Sequence, residues 1–464
     1  MASSSILATD NTTSRPPVGN PPKTAGSPDP GRTQVRALAC LFMGLGHLTR
    51  LKDWWRGGFF AAIELIFLAT LPWTLPRLAG LITLGGGTCA GGARSCPAYD
   101  RVNGGYLMVD GILVLALLLI FVGLYIASVR SAVHQYDLNR AAHTSSHTSS
   151  FKSVSNAAFP AIGLVPTVML IVFFVIVPLV FSALVAFTNY SAPNNLPPNK
   201  PIGWTGLSNF ADMFTSRASW TSSLGSVFAW TIVWAALATF TCYFGGMIMA
   251  VLLNEYKFKI TGVLRAVFII PYAIPGMVSL MLWRNMLNGA FGTVNQTLMQ
   301  LGLIDESIPW LSDVWLAKFM CVVINLWVGF PYFMMLTTGT MTAISGEVVE
   351  AARIDGATRV QVFRHITLPL VLYQTAPLMI MSFAANINNF GAIFFLTAGG
   401  PSTAETTTTN AGGTDIMISW IYKLTVNDQY YAKASVLAIM IFLVLAPFAI
   451  INFRRTKSFR EGDI

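Results

Sequence analysis

Two short stretches place amide and aromatic side chains at helical spacing inside long apolar runs. In NLWVGFPY, Asn325, Val328, Gly329 and Tyr332 stand at i, i+3, i+4 and i+7, which puts them on one face of a helix. In SFAANINNF, Ser382, Ala385, Asn386 and Asn389 repeat that spacing. An amide buried without a partner costs about 1–3 kcal/mol, so these faces must turn to each other, to backbone or to a polar guest. Asn and Ser commonly hydrogen-bond between transmembrane helices. The same mixture also suits a carbohydrate, because amides meet hydroxyls while a ring such as Tyr332 covers the apolar sugar face. Pro331 and Pro377 fall in the same two runs, and Pro271 and Pro275 lie in IIPYAIPG of another. Prolines open kinks that are tolerated where helices surround a cavity, which favours the guest.

Covalent chemistry finds no support. No GxxxxGK[ST] phosphate loop, GxSxG elbow or HExxH pair occurs, so the chain is expected to bind no ATP in the P-loop manner and not to be an enzyme. No cofactor or metal site is expected: His143 and His147 in AAHTSSHTSS lack a neighbouring Cys or carboxylate and read as a polar linker. Glu64 and Arg77 are charges inside one apolar run; Glu64 would serve a proton-coupled carrier, or simply snorkel to the interface. Cys40, Cys242 and Cys321 read as buried small hydrophobes. Cys89 and Cys96 share the loop LGGGTCAGGARSCPAYD, where they either pair as a disulfide or remain two thiols.

The elements that must position these residues are membrane spans. The chain has 464 residues, 54% hydrophobic and 11% charged, with apolar stretches beyond what one soluble core hides. Runs long enough to cross about 30 Å of hydrocarbon occur near 59–84, 106–127, 159–188, 224–253, 263–284, 317–341, 371–397 and 434–452. The fold class is all-α, a polytopic membrane protein with about eight transmembrane helices. With the N-terminus inside, cytoplasmic segments hold about 20 Lys and Arg against about 8 outside, so both termini are expected in the cytoplasm. The formal charge of +9 then reflects topology and contact with membrane lipids, and no clustered basic, aromatic surface for nucleic acid is present. Residues 1–35 read as a disordered tail without signal-peptide features, and ALACLFMGLGHLTRLKDWWRGG as an interfacial helix feeding the first span.

EAARIDGATRVQVFRHITLP, Glu350 to Pro369, interrupts the spans with a short charged segment on the predicted cytoplasmic side. Ala351, Ala352, Ile354, Ala357 and Val360 can form an apolar stripe on a short helix, with Gly356 permitting a bend and Pro369 ending the element. Such a helix is marginal alone and wants a partner groove.

The pattern EAA, three residues, Gly356, nine residues, Ile366, one residue, Leu368–Pro369 resembles the cytoplasmic coupling motif of bacterial ABC importer membrane subunits. From about residue 160 onward, NLWVGFPY, MSFAANINNF, LTAGGP and TTTTNAGGTD resemble the MalF-type larger membrane subunit of the maltose and maltodextrin importer. The two N-terminal spans resemble its Gram-positive form. The resemblance implies a type I importer permease fold, with an interfacial helix plus two helices over 36–150, a six-helix core over 151–464 and the coupling loop at 342–370. It implies a sugar held by the two stripes and Glu350, Ala351, Ala352, Gly356, Ile366, Leu368 and Pro369 docked on an ATPase dimer, which carries ATP and Mg. It further implies a second, MalG-like permease subunit and an extracellular lipid-anchored sugar-binding protein, in the bacterial cytoplasmic membrane. Val328 and Ala385 stand where the relative has larger residues, Leu and Phe, so a longer or different oligosaccharide is plausible alongside maltodextrin: trehalose, raffinose-type sugars or galacto-oligosaccharides.

Overall fold

A computed structural model describes residues 29–86, 88, 89, 96, 97, 101–141, 163–196, 200–216, 218–255, 260–403 and 406–455. It is helical, with three isolated β-bridges and no sheet among these residues. Seven helices are long and apolar enough to span a membrane, or eight counting one bent pair. A lipid-embedded chain must satisfy its backbone internally, so helices are the expected form. His143 and His147 lie outside the described residues, as does most of the expected tail, whose residues 30–35 belong to the first helix.

Two compact units divide the chain. The first comprises residues 1–75 and 116–169, the second 76–115 and 170–464. The first holds α1 (Pro30–Leu41), α2 (Leu45–Thr49), residues 54–75 of α3 (Trp54–Thr83) and residues 116–141 of α4 (Gly104–Ala141), the remaining residues of α3 and α4 belonging to the second. Asp29 caps α1 by accepting the Gly31 N–H. The core is Val35, Ala39, Leu51 and Ala132. Cys40 is exposed, contrary to the sequence reading, because the face of α1 that packs is the one through Val35 and Ala39. Gly44 sits at φ 82° with its Cα face against the Gly57 carbonyl, which a side chain would strike at 2.2 Å.

In the second unit, Cys89 and Cys96 are joined by a disulfide, Cα–Cα 5.8 Å, and Arg77 pairs with Asp110 at 3.8 Å. The spans continue with α5 (Gly163–Val185), α6 (Ala218–Glu255), α7 (Thr261–Ala273), α8 (Gly276–Met286), α9 (Thr293–Gln300) and α10 (Val314–Thr342). Then follow α11 (Gly346–Ile354), α12 (Arg359–Val362), α13 (Leu368–Ile387), α14 (Phe390–Thr397), α15 (Met417–Val426) and α16 (Tyr431–Arg455). α6 is the central strut, packing against both α10 and α13. Glycines let it approach α10 closely: a Cβ at Gly246 would stand 2.6 Å from the Met334 nitrogen and Phe330 oxygen.

Two expected spans are broken. The fifth bends by 89° between α7 and α8, where Pro275 occupies the N-cap of α8 and the residue before it is extended. The seventh divides between α13 and α14, and Asn389 caps the second piece by accepting the Ala392 N–H at 3.3 Å.

Candidate functional site

Both polar stripes lie in the second unit and turn toward α6. On α10, Asn325 Nδ2 donates to Cys242 Sγ at 3.4 Å, and that thiol donates to the Asn325 carbonyl at 3.4 Å. Gly329 lies against the same thiol, 2.8 Å from where its Cβ would stand. On α13, Asn386 Nδ2 donates to Thr239 Oγ1 at 3.0 Å while its carbonyl accepts from Trp234 Nε1 at 3.2 Å. Asn389 Nδ2 donates to Asn386 Oδ1 at 3.3 Å. The amides therefore converge on one stretch of α6, Trp234 to Cys242, rather than facing each other directly. Asn389 also leaves the helical stripe, since it occupies the break before α14. Ser382 and Val328 are half-buried, Ala385 is exposed, and Tyr332 is 38% exposed with its ring 6.2 Å from that of Tyr272.

Thr239 was not singled out from sequence, and Cys242 was read only as a buried small hydrophobe; it is buried but also the hydrogen-bond partner of Asn325. They stand at i and i+3 in TFTCYFGG, with Gly246 one turn on; a stripe of small and polar residues on an apolar helix is the available signal. A thiol is a weak hydrogen-bond partner, so the Asn325 amide retains most of its donor capacity for a stronger acceptor.

The Glu350–Pro369 segment is two helices joined by a tight turn, not one helix, and Pro369 does not end it: proline is tolerated in the first turn of α13, where it sits within one helical run from Arg359 to Ile387. α11 ends in a Schellman motif: Gly356 N–H bonds the Arg353 carbonyl at 3.1 Å and Ala357 N–H the Ala352 carbonyl at 3.0 Å. Gly356 takes φ 82°, a conformation favourable for glycine and strained for other residues. Thr358 and Gln361 then form a capping box that starts α12. Glu350, Ala351, Arg353 and Pro369 are exposed, Ala352, Ile366 and Leu368 half-buried. Ile354 and Val360 are 85% and 73% exposed, an unpaired apolar face.

LTAGGP and TTTTNAGGTD interlock beside α15. Thr414 Oγ1 donates to the Gly400 carbonyl at 2.6 Å, and Gly413 N–H to the Pro401 carbonyl at 2.7 Å. Asp415, fully buried, accepts from Lys423 Nζ, Ser419 Oγ and Gly412 N–H, each at 2.7 Å. Burial pushes its carboxyl above the usual carboxylate range against the pull of Lys423. The sequence reading missed this pair, because Asp415 and Lys423 are eight residues apart and meet only through the turn into α15. In the first unit, the Glu64 carboxylate accepts the Met43 N–H at the turn between α1 and α2.

Residues 242–455 match the family described as the binding-protein-dependent transport system inner membrane component. The Bacillus subtilis galactooligosaccharides transport system permease protein GanP is 32% identical over 432 residues, covering 92% of this chain and 99% of the relative. The chain belongs to the binding-protein-dependent ABC importer permeases. It is the membrane-spanning permease subunit of such an importer, a multi-pass protein whose relatives are sugar transport permeases. The Bacillus subtilis maltodextrin permease MdxF is 33% identical over 438 residues, 92% of this permease and 96% of the relative. Among solved structures, a bacterial alginate ABC transporter in complex with an alginate pentasaccharide-bound periplasmic protein superposes with a TM-score of 0.53. At 19% identity, over 66% of this permease and 96% of the matched chain, that likeness shows the fold alone.

Proposed function

We propose that this permease subunit imports maltodextrin or a related oligosaccharide, with Asn325, Gly329, Tyr332, Ser382, Asn386 and Asn389 holding the sugar beside α6. The observation that carries the reading is the pair of amide stripes meeting at Trp234–Cys242, where a weak thiol partner leaves Asn325 ready to exchange for a sugar hydroxyl. Tyr332 supplies a half-exposed ring for the apolar sugar face. The small Val328 and the exposed Ala385 leave room for a chain longer than a disaccharide. The likeness to the galactooligosaccharide permease over 92% of this chain supports a galacto-oligosaccharide as the second reading.

Transport is coupled through α11 and α12. Ile354 and Val360 dock into a groove on an ATPase dimer that carries ATP and Mg, with Glu350 facing a basic residue there. A second permease subunit completes the path and a lipid-anchored extracellular protein delivers the sugar, both termini lying in the cytoplasm. ATP-driven closure of the ATPase pulls the loop and rocks the spans between outward and inward access.

The test is uptake of labelled maltose, maltotriose, longer maltodextrins, trehalose, raffinose and galacto-oligosaccharides in a deletion strain. Wild type restores one class of oligosaccharide, Glu350→Lys restores none, and Asn386→Ala with Asn389→Ala lowers uptake by 10-fold or more, consistent with two lost hydrogen bonds of about 1 kcal/mol each. If no sugar on the panel depends on the gene, the substrate assignment falls. Full uptake in Glu350→Lys overturns the coupling role.

A further inference from the structure

α1 and α4 of the first unit line an open cavity of about 820 Å³. Arg32 and Arg36 stand one turn apart on α1, and Arg130 and His134 one turn apart on α4; all four line it. Two carboxylates, Asp29 and Asp137, share the wall but are engaged: Asp137 pairs with Arg32 at 3.1 Å and Asp29 with Arg140. Arg36 and Arg130 have no carboxylate partner among the described residues. The other end of the cavity is apolar, lined by Ile126 and Val129.

Depth places this cavity at the membrane surface. Residues 111–129 of α4 carry no charge, a length of about 28 Å that matches the hydrocarbon thickness. Arg130 is the first charge beyond it. Arg56 reaches Gln135 at 2.9 Å, which sets the neighbouring Trp54 and Trp55, both exposed, level with the same end of α4, where interfacial aromatic residues gather.

We propose that this cavity binds the phosphate of an anionic phospholipid. Arg36 and Arg130 hold the phosphate oxygens, His134 adds a donor, and the acyl chain runs into the bilayer along Ile126 and Val129. An arginine fork suits phosphate geometry, and a cation at the surface of an anionic leaflet is favourable. Two arginines from the two helices lining the cavity, without a carboxylate partner among the described residues and at the depth of the headgroups, select net negative lipid over zwitterionic lipid.

Native mass spectrometry and thermal unfolding of the full-length detergent-solubilised chain test this, with phosphatidylglycerol, phosphatidylcholine or inorganic phosphate added. The expected result is one retained phosphatidylglycerol and a raised unfolding midpoint, with neither effect from phosphatidylcholine. Replacing Arg36→Gln or Arg130→Gln weakens binding by about fivefold each and the double variant by roughly 25-fold. The Arg36→Lys, Arg130→Lys variant recovers most of it and controls for folding. Removing two exposed charges elsewhere, Lys200→Gln with Arg284→Gln, leaves binding unchanged. Stabilisation by inorganic phosphate equal to that by phosphatidylglycerol overturns the lipid as the source, and equal retention of both lipids, or of phosphatidylglycerol by the double glutamine variant, overturns the site.

Discussion

His47 is an imidazole with almost no access to water. It is fully buried, its Nε2 lies 3.2 Å from Ser131 Oγ, and its Nδ1 has no partner among the described residues. Burial lowers its pKa from 6.5 to about 4, against the pull of the Asp53 carboxylate. A depressed folded pKa means that stability present above 6.5 is lost as pH falls toward 4, a swing of roughly 3 kcal/mol. Thermal unfolding followed from pH 7 to pH 4 should therefore weaken in the wild type more than in His47→Gln; equal slopes would show that this ring does not titrate the fold. The Asp415–Lys423 pair makes a second case. Lys423→Met strands a buried carboxylate and should cost about 3–5 kcal/mol, while adding Asp415→Asn recovers most of the loss. Equal unfolding midpoints for the single and double variants would deny the coupling. A sequence marks these residues as polar but does not say which are enclosed, because enclosure comes from chains packed around them.

Helix contacts are decided by the side of each helix that lacks bulk. α6 meets α10 where Gly246 faces the Met334 and Phe330 backbone, and Gly329 meets the Cys242 thiol. A methyl at Gly246 has no room, so Gly246→Ala should separate the helices and cost about 1–3 kcal/mol, seen as a lower unfolding midpoint and yield. Gly262→Ala on α7 meets nothing within 4 Å and should be neutral or slightly stabilising, as alanine is the better helix former. If both behave alike, the close approach is not what holds this pair. The same reasoning explains the two broken spans. Apolar runs of the right length were legible, but the 89° bend at Pro275 and the Asn389 cap depend on where kinked backbone finds partners. The periodic stripe through Asn389 assumed one unbroken helix and lost its last member for that reason.

At the scale of the whole chain, charge asymmetry and the disulfide make a joint statement about sidedness. Cys89 and Cys96 are bonded, which suits an oxidising exterior, and the exposed turn at Thr358 lies between α11 and α12. In a Cys40→Ser background, a membrane-impermeant maleimide should label whole cells at Cys89 and Cys96 only after reduction. It should label Thr358→Cys only after lysis. Labelling of Thr358→Cys in intact cells would invert the orientation read from lysine and arginine.

Composition and hydropathic runs by themselves determined an all-helical, multi-pass protein, since lipid leaves the backbone no other way to pair its N–H and C=O groups. The turn at Gly356 was likewise legible, because a glycine closing a short helix has a local cause. Tertiary structure decided the rest. That Asn325 and Asn386 both reach α6, that Ile354 and Val360 stay uncovered, and that Arg36 and Arg130 share one cavity follow from residues distant in sequence. Such meetings are set by how helices pack, and helix periodicity fixes a face without saying what that face will touch.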